Sequence, residues 1–245
     1  MRIKTIVGSV LRRYPPLFRL ASKVYHGVRG SFRPLSPGGP GAVERALALA
    51  NEERGADGWD YYEFGLFRGY TFLTAFETLR DRRLDGVRMY GFDSFEGLPE
   101  VEGVDEGDGQ FFAGQFSCSR EAVESSLRGR GMDWSRAALV EGFYSDSLTE
   151  ELRGKHPFRP AGVVLLDCDL YSSTQEALAW LDPYLVDGTV VLFDDWLSYG
   201  GSADSGQPKA WREYLAAHPG YESEELFSFV HNGLAVRLRV PSAEG

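Results

Sequence analysis

Four carboxylates stand in two short clusters of this 245-residue chain, Asp167-Cys168-Asp169 and Asp194-Asp195. Each cluster follows a continuous apolar run, Gly162 to Leu166 and Thr189 to Phe193. Such runs read as strands buried on both faces. In an open parallel sheet the strand ends converge on the ligand crevice. Period-two alternation turns Asp167 and Asp169 to one side and Cys168 to the other. Four carboxylates gathered there repel and raise one another's pKa. A hard cation with oxygen ligands, Mg²⁺ or a similar ion, relieves that cost. The same acids could instead cap helices or pair with arginines. A DxD at a strand end also serves nucleotide-sugar glycosyltransferases, where it holds a metal and a diphosphate. An aspartate-based phosphatase needs a lysine for phosphate, and none stands between Asp169 and Asp194.

Two glycine-containing motifs lie earlier. Glu63-Phe-Gly65-Leu-Phe-Arg68-Gly69 falls between a predicted strand and a predicted helix. Glycines at such a junction let backbone approach a ligand at a helix N-terminus. It is not the dinucleotide fingerprint GxGxxG, because an acid precedes two glycines four apart. Glu63 is placed to meet the ammonium group of an amino-acid-like ligand. An ordinary tight turn is the alternative. Gly91-Phe-Asp93-Ser94-Phe-Glu-Gly97-Leu-Pro99 closes the next strand. An acid at that position holds the paired hydroxyls of a ribose, or else caps the following segment.

Other side chains carry less. His26, His156, His218 and His231 share no ligand spacing, and His156 reads as a solvated loop residue. Cys118 and Cys168 cannot form a disulfide framework or a cysteine zinc site. Cys168 reads as a small buried hydrophobe. Phe111, Phe112 and Phe116 form either a lid over the crevice or a loop folded into the core. Trp196, Tyr199 and Trp211 either line an acceptor pocket or pack the last helix.

The elements that position these residues alternate. Helices are predicted at Ala42–Glu53, Tyr70–Arg82, Arg120–Arg130, Ser147–Gly154, Ser173–Leu185 and Pro208–His218. Strands are predicted at Trp59–Phe64, Val87–Phe92, Ala137–Val140, Gly162–Asp167, Thr189–Phe193, Glu224–Val230 and Leu234–Val240. Apolar strands separated by helices indicate an α/β fold with a mostly parallel sheet covered on both sides. Pro99 to Phe116 is a long loop of the kind that is usually functional.

Composition bounds the rest. The hydrophobic content of 43% suits a globular domain, and the net charge of −10 excludes a general nucleic-acid binder. No apolar run is long enough to span a membrane as a helix. The charge is uneven. Residues 1–33 carry eight basic and no acidic side chains, which leaves 18 basic and 36 acidic residues in the remainder. Residues 1–41 therefore read as a basic helical arm with a Pro/Gly linker, and 42–245 as one domain. The arm reads as packed on the domain or on a partner subunit; contact with a membrane surface stays open.

Taken in order, EFGLFRG, GFDSFEGLP, EGFYSDSL, LLDCDLYSST and VVLFDDW resemble the macrocin-type sugar O-methyltransferases of antibiotic biosynthesis. The resemblance covers about Trp59 to Trp211. It implies a Rossmann-like class I methyltransferase fold with a seven-stranded sheet and an antiparallel last strand. It implies a cytoplasmic enzyme, a homodimer or higher homo-oligomer, using S-adenosylmethionine and Mg²⁺ on a sugar hydroxyl of a small glycosylated acceptor. It places the methionine portion at Glu63, Gly65, Arg68, Gly69 and Thr71. The ribose falls at Asp93 beside Ser94, and adenine at Gly142 and Phe143. The metal ligands fall on Asp167, Asp194 and Asp195, and the general base on Asp169. Tyr70 and Cys168 depart from the family's pattern, which often has glycine at the first and glycine or alanine at the second. A metal-dependent glycosyltransferase and a catalytically inert methyltransferase-like subunit are the alternatives.

Overall fold

The computed structural model describes residues 38–107, 109–230 and 232–241. The basic arm lies outside them as far as residue 37, as do His26 and His231.

Seven strands form one sheet in the order β3-β2-β1-β4-β5-β7-β6. They are β1 Asp60–Phe64, β2 Arg88–Asp93, β3 Ala137–Glu141, β4 Ala161–Leu166, β5 Val190–Phe193, β6 Glu222–Phe229 and β7 Gly233–Arg239. The first five run parallel, and β7 enters antiparallel between β5 and β6. The expected antiparallel last strand is therefore present.

The helices are α1 Gly39–Arg54, α2 Tyr70–Asp81, α3 Arg120–Arg128, α4 Tyr144–Ser147, α5 Glu150–Lys155, α6 Tyr171–Leu181 and α7 Gly206–Ala217. Strand alternation divides the core between the two faces of the sheet. Tyr61, Val163, Leu165, Val190 and Leu192 pack with α1, α2 and α3. Tyr62, Phe64, Val164, Leu166, Val191 and Phe193 pack with α5, α6 and α7. Every residue of β4 and β5 is buried, which is why both read as unbroken apolar runs. On the second face Phe64 stacks on Phe92 at 4.4 Å, and such a pair adds about 0.5–1.5 kcal/mol beyond its burial.

Three local readings change. Helix α1 starts at Gly39, inside the expected linker, with Pro40 in its first turn. Proline is tolerated there because that N–H has no helical partner anyway. The expected helix from Ser147 to Gly154 is two helices, separated where Leu148 leaves helical geometry and Thr149 caps α5. The Thr149 hydroxyl accepts the Leu152 N–H at 3.2 Å. Helix α6 stops at Leu181 and a 3₁₀ turn over Asp182–Tyr184 follows, because Pro183 cannot continue the ladder.

Candidate functional site

The strand order reverses between β1 and β4, and the chain approaches itself closely at their C-terminal ends. Gly65 follows β1 with φ +88°, and a Cβ there would lie 1.8 Å from the Asp167 carbonyl oxygen. Only glycine allows this approach, which sets the first motif against the acidic one. The Gly65 N–H continues the ladder to the Phe92 carbonyl at 2.9 Å, and Gly69, at φ +73°, turns the chain into α2.

Glu63 does not face an open site. It is fully buried, and its oxygens accept the Tyr61 hydroxyl and the Thr71 hydroxyl, each at 2.5 Å. Burial pushes its carboxyl up to about 8, against the hydrogen bonds from Thr71 and Tyr61. The acid thus orients Thr71 from behind the turn instead of standing in the wall itself.

Asp93 ends β2 and ties two motifs together. Its Oδ2 accepts the N–H groups of Leu66 at 2.6 Å and Phe67 at 3.0 Å, and its Oδ1 accepts that of Phe95 at 2.6 Å. Burial raises its pKa, and these three N–H groups oppose the rise. Its carboxylate therefore both fixes the Gly65–Gly69 turn and borders the cavity. Gly142 holds the adjacent β3 end, its N–H donating to the Asp93 carbonyl at 3.1 Å.

The acidic cluster forms at the ends of β4 and β5. One carboxylate oxygen from each of Asp167, Asp194 and Asp195 lies within 4.8 Å of the others. Burial, then Asp194 and Asp195, hold Asp167 well above the usual carboxylate range. Burial and Asp195 push Asp194 up to about 7. Asp195 is raised by burial and partly restored by Ser198, whose hydroxyl donates to its Oδ1 at 2.8 Å. Its Oδ2 is buried with no hydrogen-bond partner. Asp169 joins this wall by another route than expected. Strand β4 ends at Leu166, so alternation does not extend to Asp169, which turns off the strand at φ +62°. Aspartate tolerates this left-handed conformation better than most residues. Burial, Asp195 and Asp194 raise its pKa strongly.

These features share one cavity of about 400 Å³. Gly65, Arg68, Thr71, Asp93, Ser94, Phe143, Asp167, Asp169, Asp194 and Asp195 all line it. Glu63, Gly69 and Gly142 stand behind its wall. Leu66, Gln115, Tyr144, Ser145, Ser172, Ser173 and Glu176 also line it and were not singled out from sequence. The run EGFYSDSL carried Tyr144 and Ser145 without marking which of its residues face inward. The run LLDCDLYSST likewise carried Ser172 and Ser173 unmarked, and Glu176, further along α6, lies in no motif.

The long loop divides its aromatics. Phe111 and Phe112 are buried, and Phe111 lies 5.7 Å from Tyr199, so this part folds into the protein. Phe116 borders the cavity and meets Phe67 edge-on at 5.9 Å. Gly97 returns the chain here at φ +90°, with the Gln115 carbonyl oxygen only 2.4 Å from where a Cβ would sit. Trp196 and Trp211 pack on Phe193 at 5.0 and 5.4 Å and do not reach the cavity. His156 is packed against Tyr90 and Phe158, at 5.7 and 5.4 Å, and burial lowers its pKa, so its ring is less solvated than its loop position suggests. Cys168 is buried in the second core, as expected.

Comparison with known proteins places this geometry. The profile of the macrocin O-methyltransferase (TylF) family matches residues 46–219. A Streptomyces olivaceus protein, 8-demethyl-8-(2,3-dimethoxy-alpha-L-rhamnosyl)-tetracenomycin-C 4'-O-methyltransferase, is 32% identical over 146 residues, 56% of this chain and 52% of that one. The demethyldecarbamoylnovobiocin O-methyltransferase of Streptomyces niveus is 27% identical over 143 residues, 56% of this chain and 53% of its own. The chain thus spans about half the length of the curated relatives it matches. Among solved structures, the O-methyltransferase NovP superposes with a TM-score of 0.67 at 22% identity, covering 82% of this chain and 79% of that one. The calicheamicin methyltransferase CalS11 gives 0.64 at 22% identity, covering 81% and 77%. At these identities the likeness speaks for the fold, which is the Rossmann-like class I methyltransferase fold.

Proposed function

The chain belongs to the macrocin O-methyltransferase family, and from that premise we propose that it methylates a sugar hydroxyl of a small glycosylated natural product, with S-adenosylmethionine as donor. The observation that carries this reading is one cavity joining the Gly65–Thr71 turn and Asp93 to the four carboxylates. A glycosyltransferase would leave the turn and Asp93 without a role.

The turn residues Gly65, Arg68 and Thr71 take the methionine portion, with Gly69 turning the chain behind them and Glu63 acting through the Thr71 hydroxyl. Asp93 and Ser94 take the ribose. Phe143 flanks adenine, and Gly142 holds it in place. Asp167, Asp194 and Asp195 would hold Mg²⁺. Three converging carboxylates and a buried Asp195 oxygen without a partner suit a hard, oxygen-seeking cation. When bound, the cation supplies Lewis acidity that lowers the pKa of a hydroxyl, and the donor supplies an electrophilic methyl group.

The chain's own residues do the rest. Asp169 lines the same cavity as the three cation-site carboxylates and receives the hydroxyl proton as general base. Phe116, Phe143 and Tyr144 give the cavity an aromatic lining. The surrounding walls align acceptor and donor, which is where much of the acceleration of a displacement arises. No described helix is long and apolar enough to cross a membrane. We assign the enzyme to the cytoplasm, as a homodimer or higher homo-oligomer, and light scattering of the full chain tests the assembly.

The test is a thermal-shift titration, with and without Mg²⁺, using S-adenosylmethionine, S-adenosylhomocysteine and nucleotide sugars. A ligand at 100 times its Kd stabilises the fold by about 2.7 kcal/mol. The expected result is stabilisation by the adenosyl ligands. Stabilisation by a nucleotide sugar alone would overturn the reading in favour of a glycosyltransferase. Donor binding without methyl transfer to any of a panel of glycosides would identify an inert subunit.

A further inference from the structure

Strands β4 and β5 pair only as far as Leu166 and Phe193. The carboxylates begin one residue later, where their repulsion acts to part the strand ends. One side chain bridges that gap. Gln207, the second residue of α7, is fully buried. Its Nε2 donates to the Leu166 carbonyl at 2.9 Å, and its Oε1 accepts the Asp195 N–H at 2.9 Å. Leu166 also accepts the Asp194 N–H at 3.2 Å, so three bonds meet where the ladder ends. A buried amide needs partners at both ends, and both ends of this one are spent on joining β4 to β5.

The consequence falls on Asp195. Gln207 fixes its backbone, Ser198 fixes its Oδ1 at 2.8 Å, and its Oδ2 is left buried without a partner. We propose that Gln207 is a positioning residue for the cation site, which presets Asp195 against Asp167 before a cation arrives. Gln207 does not border the cavity and touches none of the reacting groups. The inference rests on the cation reading given above. Partners that orient a metal ligand in this way are worth about 10–100-fold in metal affinity.

Two variants of nearly equal volume test it in the full chain. Gln207→Met removes both hydrogen bonds. Gln207→Leu also removes both, with a shorter, branched side chain. The measurements are Mn²⁺ affinity by electron paramagnetic resonance, metal-free S-adenosylhomocysteine affinity by calorimetry, and thermal unfolding. The expected result is an Mn²⁺ affinity about 10–100-fold weaker in each variant, with the metal-free adenosyl affinity within about twofold. A folded variant that binds Mn²⁺ within about twofold of the unaltered chain would overturn the proposal. Should Gln207→Met not fold, Gln207→Leu decides by the same criterion. Failure of the unaltered chain to bind Mn²⁺ would overturn the cation reading itself, and the proposal with it.

Discussion

The Asp105 carboxylate accepts the Tyr171 N–H at 2.6 Å from 66 residues away in sequence, and its second oxygen accepts the Ser172 N–H at 3.1 Å. Helix α6 begins after Leu170, which offers no side-chain cap. The long loop therefore supplies the cap, and it does so two residues beyond Asp169. The Asp105 carbonyl also accepts the Tyr199 hydroxyl at 3.3 Å, and Gln110 donates to the Ser198 carbonyl at 3.0 Å. Both acidic motifs are thus tied to one loop.

Asp105→Ala should destabilise the protein by about 1–2 kcal/mol, the cost of losing a helix cap. For a chain of this size that corresponds to roughly 2–8 °C in Tm. Urea unfolding gives the free energy directly. A loss below about 0.5 kcal/mol, the level of an ordinary surface substitution, would mean that water replaces the cap without cost.

Asp169→Asn should reduce kcat by about 100- to 10,000-fold while leaving donor affinity unchanged. The amide occupies the same space but cannot receive the proton. Methyl-transfer kinetics with parallel calorimetry separates the two effects. Unaltered turnover would remove Asp169 from proton transfer.

Asp194→Ala should abolish both activity and its dependence on Mg²⁺. The unaltered enzyme should lose activity in chelator and regain it when Mg²⁺ is restored. Full activity in chelator would contradict the cation site.

Stability of the metal-free protein should fall as pH rises from about 5 to 8. The unfolded chain releases the Glu63 proton near its ordinary value of about 4.3. In the folded chain burial holds that proton up to about 8. Between the two values the folded state carries more protons, so raising pH favours unfolding. Asp194, pushed up to about 7, acts in the same direction. Glu63→Gln stays neutral and should flatten the slope of Tm against pH without removing it. An equal slope in that variant would show that Glu63 is ionised across the range.

Gly65→Ala should eliminate donor binding and lower Tm. Its Cβ would meet the Asp167 carbonyl oxygen at 1.8 Å, so β1 and β4 must separate at the site. Calorimetry with S-adenosylhomocysteine reads the first effect and thermal unfolding the second. Binding within about twofold of the unaltered chain would show that the turn can shift at no cost.

Much of this protein is local enough to read from residue order. An apolar run ending in carboxylates announces a buried strand whose end faces a crevice, as at Val163 to Asp167. The glycines of EFGLFRG mark a turn between strand and helix wherever that turn lies in space. The seven strands followed from such patterns, and so did Gly65, Asp93 and the four carboxylates of the cavity. What no pattern carried was contact between distant residues. Glu63 proved to be buried against the Thr71 hydroxyl because α2 folds back over β1. Asp105 proved to be a helix cap because the long loop crosses to α6. Gln207 looks like any polar residue at the start of a helix until α7 packs against the ends of β4 and β5. Burial and partnership are properties of pairs, set by packing, and only the folded chain brings those pairs together.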